Sequence, residues 1–186
     1  GAGQSMDQGM LDCFVGEHKK DMHSMTASEA MLAKWGKETV ARFAKEYDDD
    51  GLTDYDLFLR LRRSKDPTTH KMADDLRKDG KGCNFAAQYD CQAPKLAETL
   101  VIPVPDAQTF LDAKYKAFPR FEEWKEEVKA DAERLGYVMT PLGGRRHLRD
   151  SLLSSEWGVK DKALRQGPNF RIQGASAEQT KLAMSE

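Results

Sequence analysis

The chain has 186 residues, of which 39% are hydrophobic, and this predicts one domain or one subdomain of a larger protein. Charged residues make up 32%, but the net charge of −2 excludes a uniformly basic surface and leaves phosphate contacts to local clusters. Three cysteines without CxxC spacing argue against a disulfide framework. We therefore predict a reducing, cytoplasmic compartment, and the short apolar runs predict neither a membrane span nor a signal peptide.

Residues 1–7 are interpreted as a tag or linker, of which the first five are either a cloning remnant or native sequence. A short helical apolar pattern then begins at Met10. In the methionine-rich segment that follows, Asp21, His23, Thr26 and Ala27 form the pattern Asp-x-His-x-x-Thr-Ala. A histidine at this point is either a ligand-binding side chain or a polar residue at the start of a helix. The residues alone leave both interpretations of His23 open.

Between about residues 34 and 65, the apolar spacing predicts two short helices that flank an acidic turn at 48–51. If Gly51 takes the sixth position of a calcium loop, acidic residues fall on four ligand positions, namely Glu46, Asp48, Asp50 and Asp54. The twelfth position is Leu57 instead of the usual glutamate, which favours a solvated helix connection. The basic run at 60–65 is either a nucleic-acid contact or solvated surface.

Asp66 and Pro67 are typical of a helix start, because Asp66 can cap the helix and proline is tolerated in the first turn. We predict a helix over about 68–90. Steps of four residues advance about 400°, so one face carries a cation–ring stripe, defined as Arg77, Lys81, Phe85 and Tyr89. Two cations followed by two rings match a phosphorylated aromatic ligand, and a solvated helix edge shows the same pattern.

Two glycines, Gly80 and Gly82, flank Lys81 within this helix. Each should weaken the helix by about 1 kcal/mol relative to alanine. We hypothesise that they let the helix bend during a conformational change, or let its backbone approach a phosphate closely.

A short helix is predicted after Cys91, followed by extended chain at Pro103 and Pro105. A long amphipathic helix then runs from a cap at Asp106 to about residue 135, with a kink or split at Pro119. Seven residues supply most of its predicted buried face: Phe110, Leu111, Tyr115, Phe118, Phe121, Trp124 and Val128.

Residues 136–150 predict a small β-hairpin, because a strand-forming Tyr-Val-Met run precedes a Gly-Gly turn. Arg145 and Arg146 follow the turn, where they can pair with phosphate oxygens or remain ordinary surface arginines.

The last segment, residues 151–186, predicts a helix that is truncated at the end of the sequence. It carries Arg165, Asn169 and Gln173 at steps of four. Because a proline inside a helix removes one hydrogen bond, Pro168 predicts a break between Arg165 and Gln173.

Four of these elements resemble, in order, motifs of the family A DNA polymerases, the bacterial DNA polymerase I type. They are the histidine element at 21–27, Arg-x-x-x-Lys-x-x-x-Phe-x-x-x-Tyr at 77–89, Gly-Tyr-Val-x-Thr with its arginine pair at 136–146, and Arg-x-x-x-Asn-x-x-x-Gln-Gly-x-x-Ala at 165–177. The resemblance covers most of residues 8–186 apart from the stretch at 34–65, which hints at a phage-like member. It implies a mainly α fold, a fingers-type helical subdomain over 8–135 with a small β-hairpin, followed by the start of a palm-side helix.

In that family, the helix that carries the stripe closes over the incoming deoxynucleotide. The resemblance therefore implies that Arg77 and Lys81 hold the triphosphate, with Lys81 as the catalytic residue of this chain. It also implies that Phe85 packs against the nucleotide, that Tyr89 guards the insertion site and that His23 approaches the triphosphate. The family often has glycine after this phenylalanine and after this tyrosine, but the chain has Ala86 and Asp90 there. The second departure places a carboxylate near the templating region, so the assignment of Tyr89 is weaker than that of Lys81.

The same resemblance implies that the C-terminal residues contact DNA. Arg145 and Arg146 would pair with the template and primer backbones. Arg165, Asn169 and Gln173 would reach the minor groove of the primer–template duplex, where amide side chains can check base-pair shape without reading sequence.

By resemblance, the parent protein is a DNA-directed DNA polymerase that binds a dNTP, primer–template DNA and the rest of its own palm and thumb, with no membrane contact. Such enzymes use Mg²⁺ ions held by palm carboxylates. The carboxylate expected before His23 has no convincing match, and the final carboxylate motif is expected beyond residue 186. We therefore predict no metal ligand within this chain and an inactive isolated fragment.

Two other classes of function remain open from the sequence. The first is a freestanding helical nucleic-acid-binding module, which would bind DNA in a salt-dependent manner without preferring nucleoside triphosphates. The second is a purely structural helical domain, in which substitution of Arg77 or Lys81 would change neither triphosphate nor DNA binding.

Overall fold

The structure, a computed structural model, describes residues 7–13, 19–47 and 53–185. Its helices are α1 (Gln8–Leu11), α2 (Met22–Trp35), α3 (Lys37–Glu46), α4 (Asp54–Arg62), α5 (Pro67–Ala87), α6 (Ala93–Leu100), α7 (Val104–Ala117), α8 (Pro119–Leu135), α9 (Arg149–Leu152) and α10 (Trp157–Ser185). Strands β1 (Tyr137–Met139) and β2 (Arg145–His147) form one antiparallel pair. The predicted mainly α fold with a small β-hairpin is confirmed. None of the described helices combines the length and apolar character needed to cross a membrane.

The chain divides into two compact units, one that ends at Pro119 and one that begins at Arg120. Helix α2 is the centre of the first unit and contacts α4, α5 and α7. Small buried side chains on α2, including Ala27 and Ala30, let these neighbours approach closely. Helix α5 approaches α2 closely at Gly80, where a Cβ atom would lie 3.0 Å from the carbonyl oxygen of His23.

The stretch at 34–65 helps to form the core of this unit. The two predicted short helices are confirmed as α3 and α4, and α4 buries Leu57, Phe58 and Leu61. These side chains belong to the same buried cluster as Met31 of α2 and Phe110 of α7. The predicted acidic turn at 48–51, with the proposed calcium positions 48 and 50, lies outside the described residues.

The start of α5 confirms the predicted cap. The carboxylate of Asp66 accepts hydrogen bonds from the backbone N–H groups of Thr68 and Thr69 at 3.4 and 2.8 Å, and Pro67 is the first helical residue. The predicted end at about residue 90 was wrong, because α5 ends at Ala87. Asp90 has φ +54°, a left-handed conformation that does not continue an α-helix, so Tyr89 lies in a turn.

The predicted split of the long amphipathic helix is confirmed, since α7 ends at Ala117 and α8 begins at Pro119. The predicted cap at Asp106 was wrong, because α7 already begins at Val104, and the Asp106 carboxylate instead pairs with Lys34. Tyr115 was wrongly placed in the buried face, since it is 38% exposed, whereas the other six predicted residues are buried.

In the second unit, α8, the β-hairpin, α9 and α10 pack together. The hairpin pairs Tyr137 with His147, Val138 with Arg146 and Met139 with Arg145. Val138 is the buried residue of β1, and its side chain lies against Gly167 of α10, where an added Cβ would be 3.3 Å away.

The predicted break at Pro168 was wrong, because α10 runs without interruption from Trp157 to Ser185. A proline at this position removes the hydrogen bond to the carbonyl of Leu164, a change that costs an exposed helix about 3 kcal/mol. Gly167 and Pro168 are both buried in α10. Burial of this segment therefore offsets the lost hydrogen bond and keeps the helix continuous.

Candidate functional site

The cation–ring stripe lies at the surface of the first unit. Arg77, Lys81 and Phe85 follow each other at steps of four on α5, so they share one face over about 12 Å. Phe85 is 66% exposed and Tyr89 is 39% exposed, and their ring centroids are 5.5 Å apart at an interplanar angle of 60°. Although Tyr89 lies beyond the helix, its ring thus remains next to the exposed ring of Phe85.

Arg77 is anchored by Asp21, a residue 56 positions earlier. Its Nε donates to Oδ2 of Asp21 at 2.6 Å, and its Nη2 donates to Oδ1 at 3.2 Å. Asp21 also caps α2 by accepting from the backbone N–H of His23 at 3.2 Å, and it accepts from the Ser24 hydroxyl at 2.7 Å. One carboxylate therefore fixes both the start of α2 and the guanidinium of Arg77.

The protonation states follow from these contacts. Burial alone would raise the pKa of Asp21, but hydrogen bonds from Arg77 and Ser24, together with the charge of Arg77, lower it to about 2. The hydrogen bond to Asp21 raises the pKa of Arg77 above its ordinary value. Both groups are therefore charged at neutral pH. The edge of the guanidinium formed by Nε and Nη2 binds Asp21, and the Nη1 donors remain for another acceptor.

Lys81 differs from Arg77 in its surroundings. It is exposed, and within the described ranges 7–13, 19–47 and 53–185 no carboxylate forms an ion pair with it. An ammonium in this position attracts an anion without first having to leave an internal partner.

His23 lies next to α5 through a buried polar network. Nδ2 of Asn84 is 3.2 Å from the carbonyl oxygen of Met22 and 3.2 Å from Nδ1 of His23. The Thr26 hydroxyl donates to Oδ1 of Asn84 at 2.9 Å. Because the Met22 carbonyl can only accept, the amide nitrogen of Asn84 must face it, and that nitrogen donates its second hydrogen to Nδ1 of His23.

The imidazole of His23 is consequently neutral, with its proton on Nε2. Burial lowers the pKa of His23, and the positive charges of Arg77 and Lys81 lower it further against the opposing charge of Asp21. With Nδ1 occupied as an acceptor, Nε2 is the nitrogen that can donate a hydrogen bond to a ligand. All five predicted nucleotide-binding residues thus lie in the first unit, on α2, on α5 or in the turn that follows α5: His23, Arg77, Lys81, Phe85 and Tyr89.

In the second unit, Arg145 and Arg146 lie on the exposed strand β2. The guanidinium of Arg145 is 5.3 Å from the ring centroid of Tyr137. Arg146 donates from Nη2 to Oε1 of Gln166 at 2.9 Å, and its guanidinium is 5.9 Å from the ring centroid of Phe170. Both arginines are therefore oriented by neighbouring side chains rather than extended freely into solvent.

The continuous helix α10 places Arg165, Asn169 and Gln173 on one face, since they follow each other at steps of four. Arg165 and Gln173 are exposed, and Asn169 is half-buried. Gln166 and Phe170, which hold Arg146, come one residue after Arg165 and Asn169, so Arg146 lies beside this face. The second unit thus brings together two of its predicted DNA-binding elements.

Several residues of this arrangement were not given a role by the sequence. Asp21, Thr26 and Asn84 belong to the quoted motifs, but their side-chain partners lie on another helix. An aspartate directly before a helix is a signal for a cap, and it could have indicated Asp21. Gln166 carries no comparable signal, since its contact with Arg146 depends on how the hairpin packs on α10.

Within the part of the chain that the structure describes, no three histidine, cysteine or acidic side chains form a cluster suited to a metal ion. The candidate site combines cationic, amide and aromatic side chains with the carboxylate of Asp21.

The sequence of this chain is similar to those of a known protein family. Residues 52–186 match the model for "DNA polymerase family A". The chain is 35% identical over 109 residues to a thermostable DNA polymerase I of Thermus aquaticus, a match that covers 59% of this chain and 13% of that protein. It is 32% identical over 142 residues to a DNA polymerase I of Bacillus caldotenax, which covers 76% of this chain and 15% of that protein.

A solved structure is also similar over nearly the whole chain. The POL domain of Pol1 from M. smegmatis, in complex with DNA primer–template and dNTP, matches 98% of this chain with a TM-score of 0.68 and 26% sequence identity. The match covers 26% of that protein chain, and the present chain spans about an eighth of the length of the curated relatives. The predicted resemblance is thereby confirmed at the level of family. Because the family model matches well over half of its residues, this chain belongs to DNA polymerase family A.

Proposed function

We propose that this chain is the fingers region and the start of the palm of a template-directed DNA polymerase, and that it binds the incoming dNTP and primer–template DNA. Membership of family A supports the activity of the parent protein. The similar Pol1 domain, which carries DNA primer–template and dNTP, supports these two ligands. The proposed division is a fingers region over 8–135, with the nucleotide-binding helix and the extra stretch at 34–65, then the hairpin at 136–150 and the palm-side helix.

The observation that carries this proposal is the exposed cation–ring stripe on α5 beside the Nε2 of His23. Three groups of positive or donor character, from Arg77, Lys81 and His23, lie near the junction of α2 and α5. The exposed ring of Phe85 lies near the C-terminal end of the same helix, and the ring of Tyr89 lies beside it in the turn that follows. A dNTP has the matching order of groups, with a triphosphate at one end and a flat base at the other.

These residues would act by positioning and charge stabilisation. The primer 3′ hydroxyl loses its proton to solvent and attacks the α-phosphorus, the bond from that phosphorus to the bridging oxygen breaks, and pyrophosphate leaves with added negative charge. Arg77 and His23 would donate hydrogen bonds to the phosphates, and Lys81 would act as the catalytic residue that places a compact positive charge against the leaving group. Phe85 would pack against the nucleotide, and Tyr89 would stand at the insertion site.

The enzyme as a whole would use Mg²⁺, which supplies charge neutralisation at the phosphates when bound. We place its ligands outside this chain, and the fragment alone would then be inactive. The residues of this chain would hold the nucleotide, exclude water from its base through Phe85 and Tyr89, and orient its phosphates through Arg77 and Lys81.

The second unit would bind the duplex. Arg145 and Arg146 would pair with backbone phosphates, where a guanidinium held by a neighbouring side chain loses little conformational freedom on binding. Arg165, Asn169 and Gln173 would reach into the minor groove from α10. Amide and guanidinium donors suit this groove because all base pairs present acceptors there.

Photolabelling tests the nucleotide part of the proposal. The complete polymerase would be irradiated with a dNTP that carries an azido group on its base, and the labelled peptides would be identified by mass spectrometry. We expect labelling of the segment from Phe85 to Tyr89, and competition by unmodified dNTP. A freestanding DNA-binding module predicts no labelling of this segment, and that result would overturn the proposal.

A further inference from the structure

A second arginine approaches the carboxylate that anchors Arg77. Arg62, the last residue of α4, has its Nη1 3.7 Å from Oδ2 of Asp21 and 3.5 Å from the hydroxyl of Ser24. Its Nη2 is 3.4 Å from Oδ1 of Asp74 on α5. Its Nε is buried and has no hydrogen-bond partner within the described residues. Arg62 is therefore half-buried against three acceptors, and each of these contacts is 3.4 Å or longer.

The two arginines engage Asp21 unequally. Arg77 approaches Asp21 to 2.6 Å, whereas Arg62 stays at 3.7 Å, and both contact the same Oδ2 atom. An arginine bound only to one carboxylate forms a neutral pair, which attracts an anion weakly. A second guanidinium at the same carboxylate offsets part of its charge and leaves the donors of the first available to a ligand. Asp74 also pairs with Arg62, but its side chain is 58% exposed, so solvent screens its charge.

We propose that Arg62 is a positioning residue for nucleotide binding, which acts through Asp21 and leaves Arg77 able to hold the triphosphate. The inference rests on the proposed function, because it takes Arg77 as a triphosphate-binding residue. It also gives a role to the stretch at 34–65, for which the sequence alone gave none. Arg62 reaches the site because α4 packs on both α2 and α5.

A double-mutant cycle in the complete polymerase tests this coupling. The dissociation constant of the incoming dNTP would be measured by single-turnover incorporation for Arg62→Gln, Asp21→Asn and the double variant. Asparagine keeps the capping function of residue 21, so the start of α2 is preserved. We expect Arg62→Gln to weaken dNTP binding by about three- to tenfold when Asp21 is present. We expect no effect of Arg62→Gln when residue 21 is asparagine.

Two further variants separate this role from a general effect. Arg63→Gln removes the same charge from the neighbouring exposed residue and should leave dNTP affinity unchanged. Arg62→Lys keeps the charge and should restore most of the affinity. Thermal melting of each variant shows whether it is folded, and the dissociation constant of primer–template DNA should not change with Arg62→Gln.

The outcomes are distinguishable. An Arg62→Gln effect that persists with Asp21→Asn would mean that Arg62 contacts the nucleotide without Asp21, and would overturn the inference. Unchanged dNTP affinity in Arg62→Gln would overturn it as well. If Lys81→Ala also leaves dNTP affinity unchanged, the proposed function itself fails. If only the coupling is absent, the proposed function stands without this inference.

Discussion

The side-chain amide of Asn84 donates to Nδ1 of His23 over 3.2 Å and thereby joins α5 to α2 at the candidate site. The two residues are 61 positions apart in sequence. Met22 accepts the other amide hydrogen, and Thr26 donates to the amide oxygen, so the orientation of Asn84 is fixed on both sides. This network determines which nitrogen of His23 carries the proton and can donate a hydrogen bond.

The first prediction concerns that nitrogen. Nitrogen-15 NMR of the chain at pH 7.5 should show His23 as the neutral tautomer with its proton on Nε2. Asn84→Ala should remove this preference and lower the free energy of unfolding by about 1–3 kcal/mol, because buried partners lose their hydrogen bonds. Detection of the Nδ1-protonated tautomer in the unsubstituted chain would contradict the network.

The second prediction concerns pH. Because the folded-state pKa of His23 is lowered, the unfolded chain takes up a proton at this residue at a higher pH than the folded chain does. The free energy of unfolding should therefore fall as the pH drops below about 6.5. In His23→Gln, this part of the pH dependence should be absent. Urea unfolding between pH 7.5 and pH 5 measures the difference, and identical slopes in both proteins would rule out a shifted pKa.

The third prediction concerns the glycines of α5. A Cβ at Gly80 would lie 3.0 Å from the backbone oxygen of His23 and 3.3 Å from the backbone nitrogen of Ala27, so α5 would have to move away from α2. Gly80→Ala should thus destabilise the fold by about 1–3 kcal/mol despite its better helix propensity. Gly158→Ala is the control, since its Cβ would meet open space in the first turn of α10, and it should change stability by less than about 0.5 kcal/mol.

The hypothesis that Gly80 and Gly82 make the helix pliable stays a prediction. A Cβ at Gly82 would meet the side chain of Leu100, so both glycines also serve close packing. Loss of nucleotide affinity after a double alanine substitution would therefore not by itself show bending. Unchanged affinity and closure rate in a folded variant would still remove the hypothesis.

The fourth prediction concerns DNA. Arg146→Ala should weaken primer–template binding, because one phosphate contact is lost. The magnitude of the slope of log affinity against log salt concentration should fall by about 1. Arg134→Ala serves as the control, since Arg134 has an exposed side chain on α8 and pairs with Asp131. Fluorescence anisotropy at several salt concentrations measures both slopes. Equal slopes for the two variants would exclude Arg146 from phosphate contact.

Local sequence rules predicted much of this structure. The cap at Asp66, the split before Pro119 and the hairpin that contains Arg145 each depend on residues close together in the chain. The stripe followed from helical periodicity alone, which fixes the relative directions of Arg77, Lys81 and Phe85. Such rules act within one element, so they predicted which side chains share a face.

Local sequence rules could not predict the contacts between different helices. The pairing of Arg77 with Asp21 and that of Asn84 with His23 depend on the register of α5 against α2, which the contact at Gly80 sets. At Pro168 a local rule gave the wrong prediction, because burial of this segment outweighs the helix-breaking preference of proline. The phage-like character inferred from the stretch at 34–65 stays a prediction.

The central claim is that α5 presents Lys81 to the triphosphate of an incoming dNTP. Single-turnover incorporation by the complete polymerase tests it most directly, with Lys81→Ala compared against Lys71→Ala, an exposed lysine about 15 Å away on the same helix. We predict that Lys81→Ala lowers the ratio of maximal rate to dNTP dissociation constant by about 100-fold or more, whereas Lys71→Ala changes it less than about twofold. Equal ratios for the two variants would contradict the account.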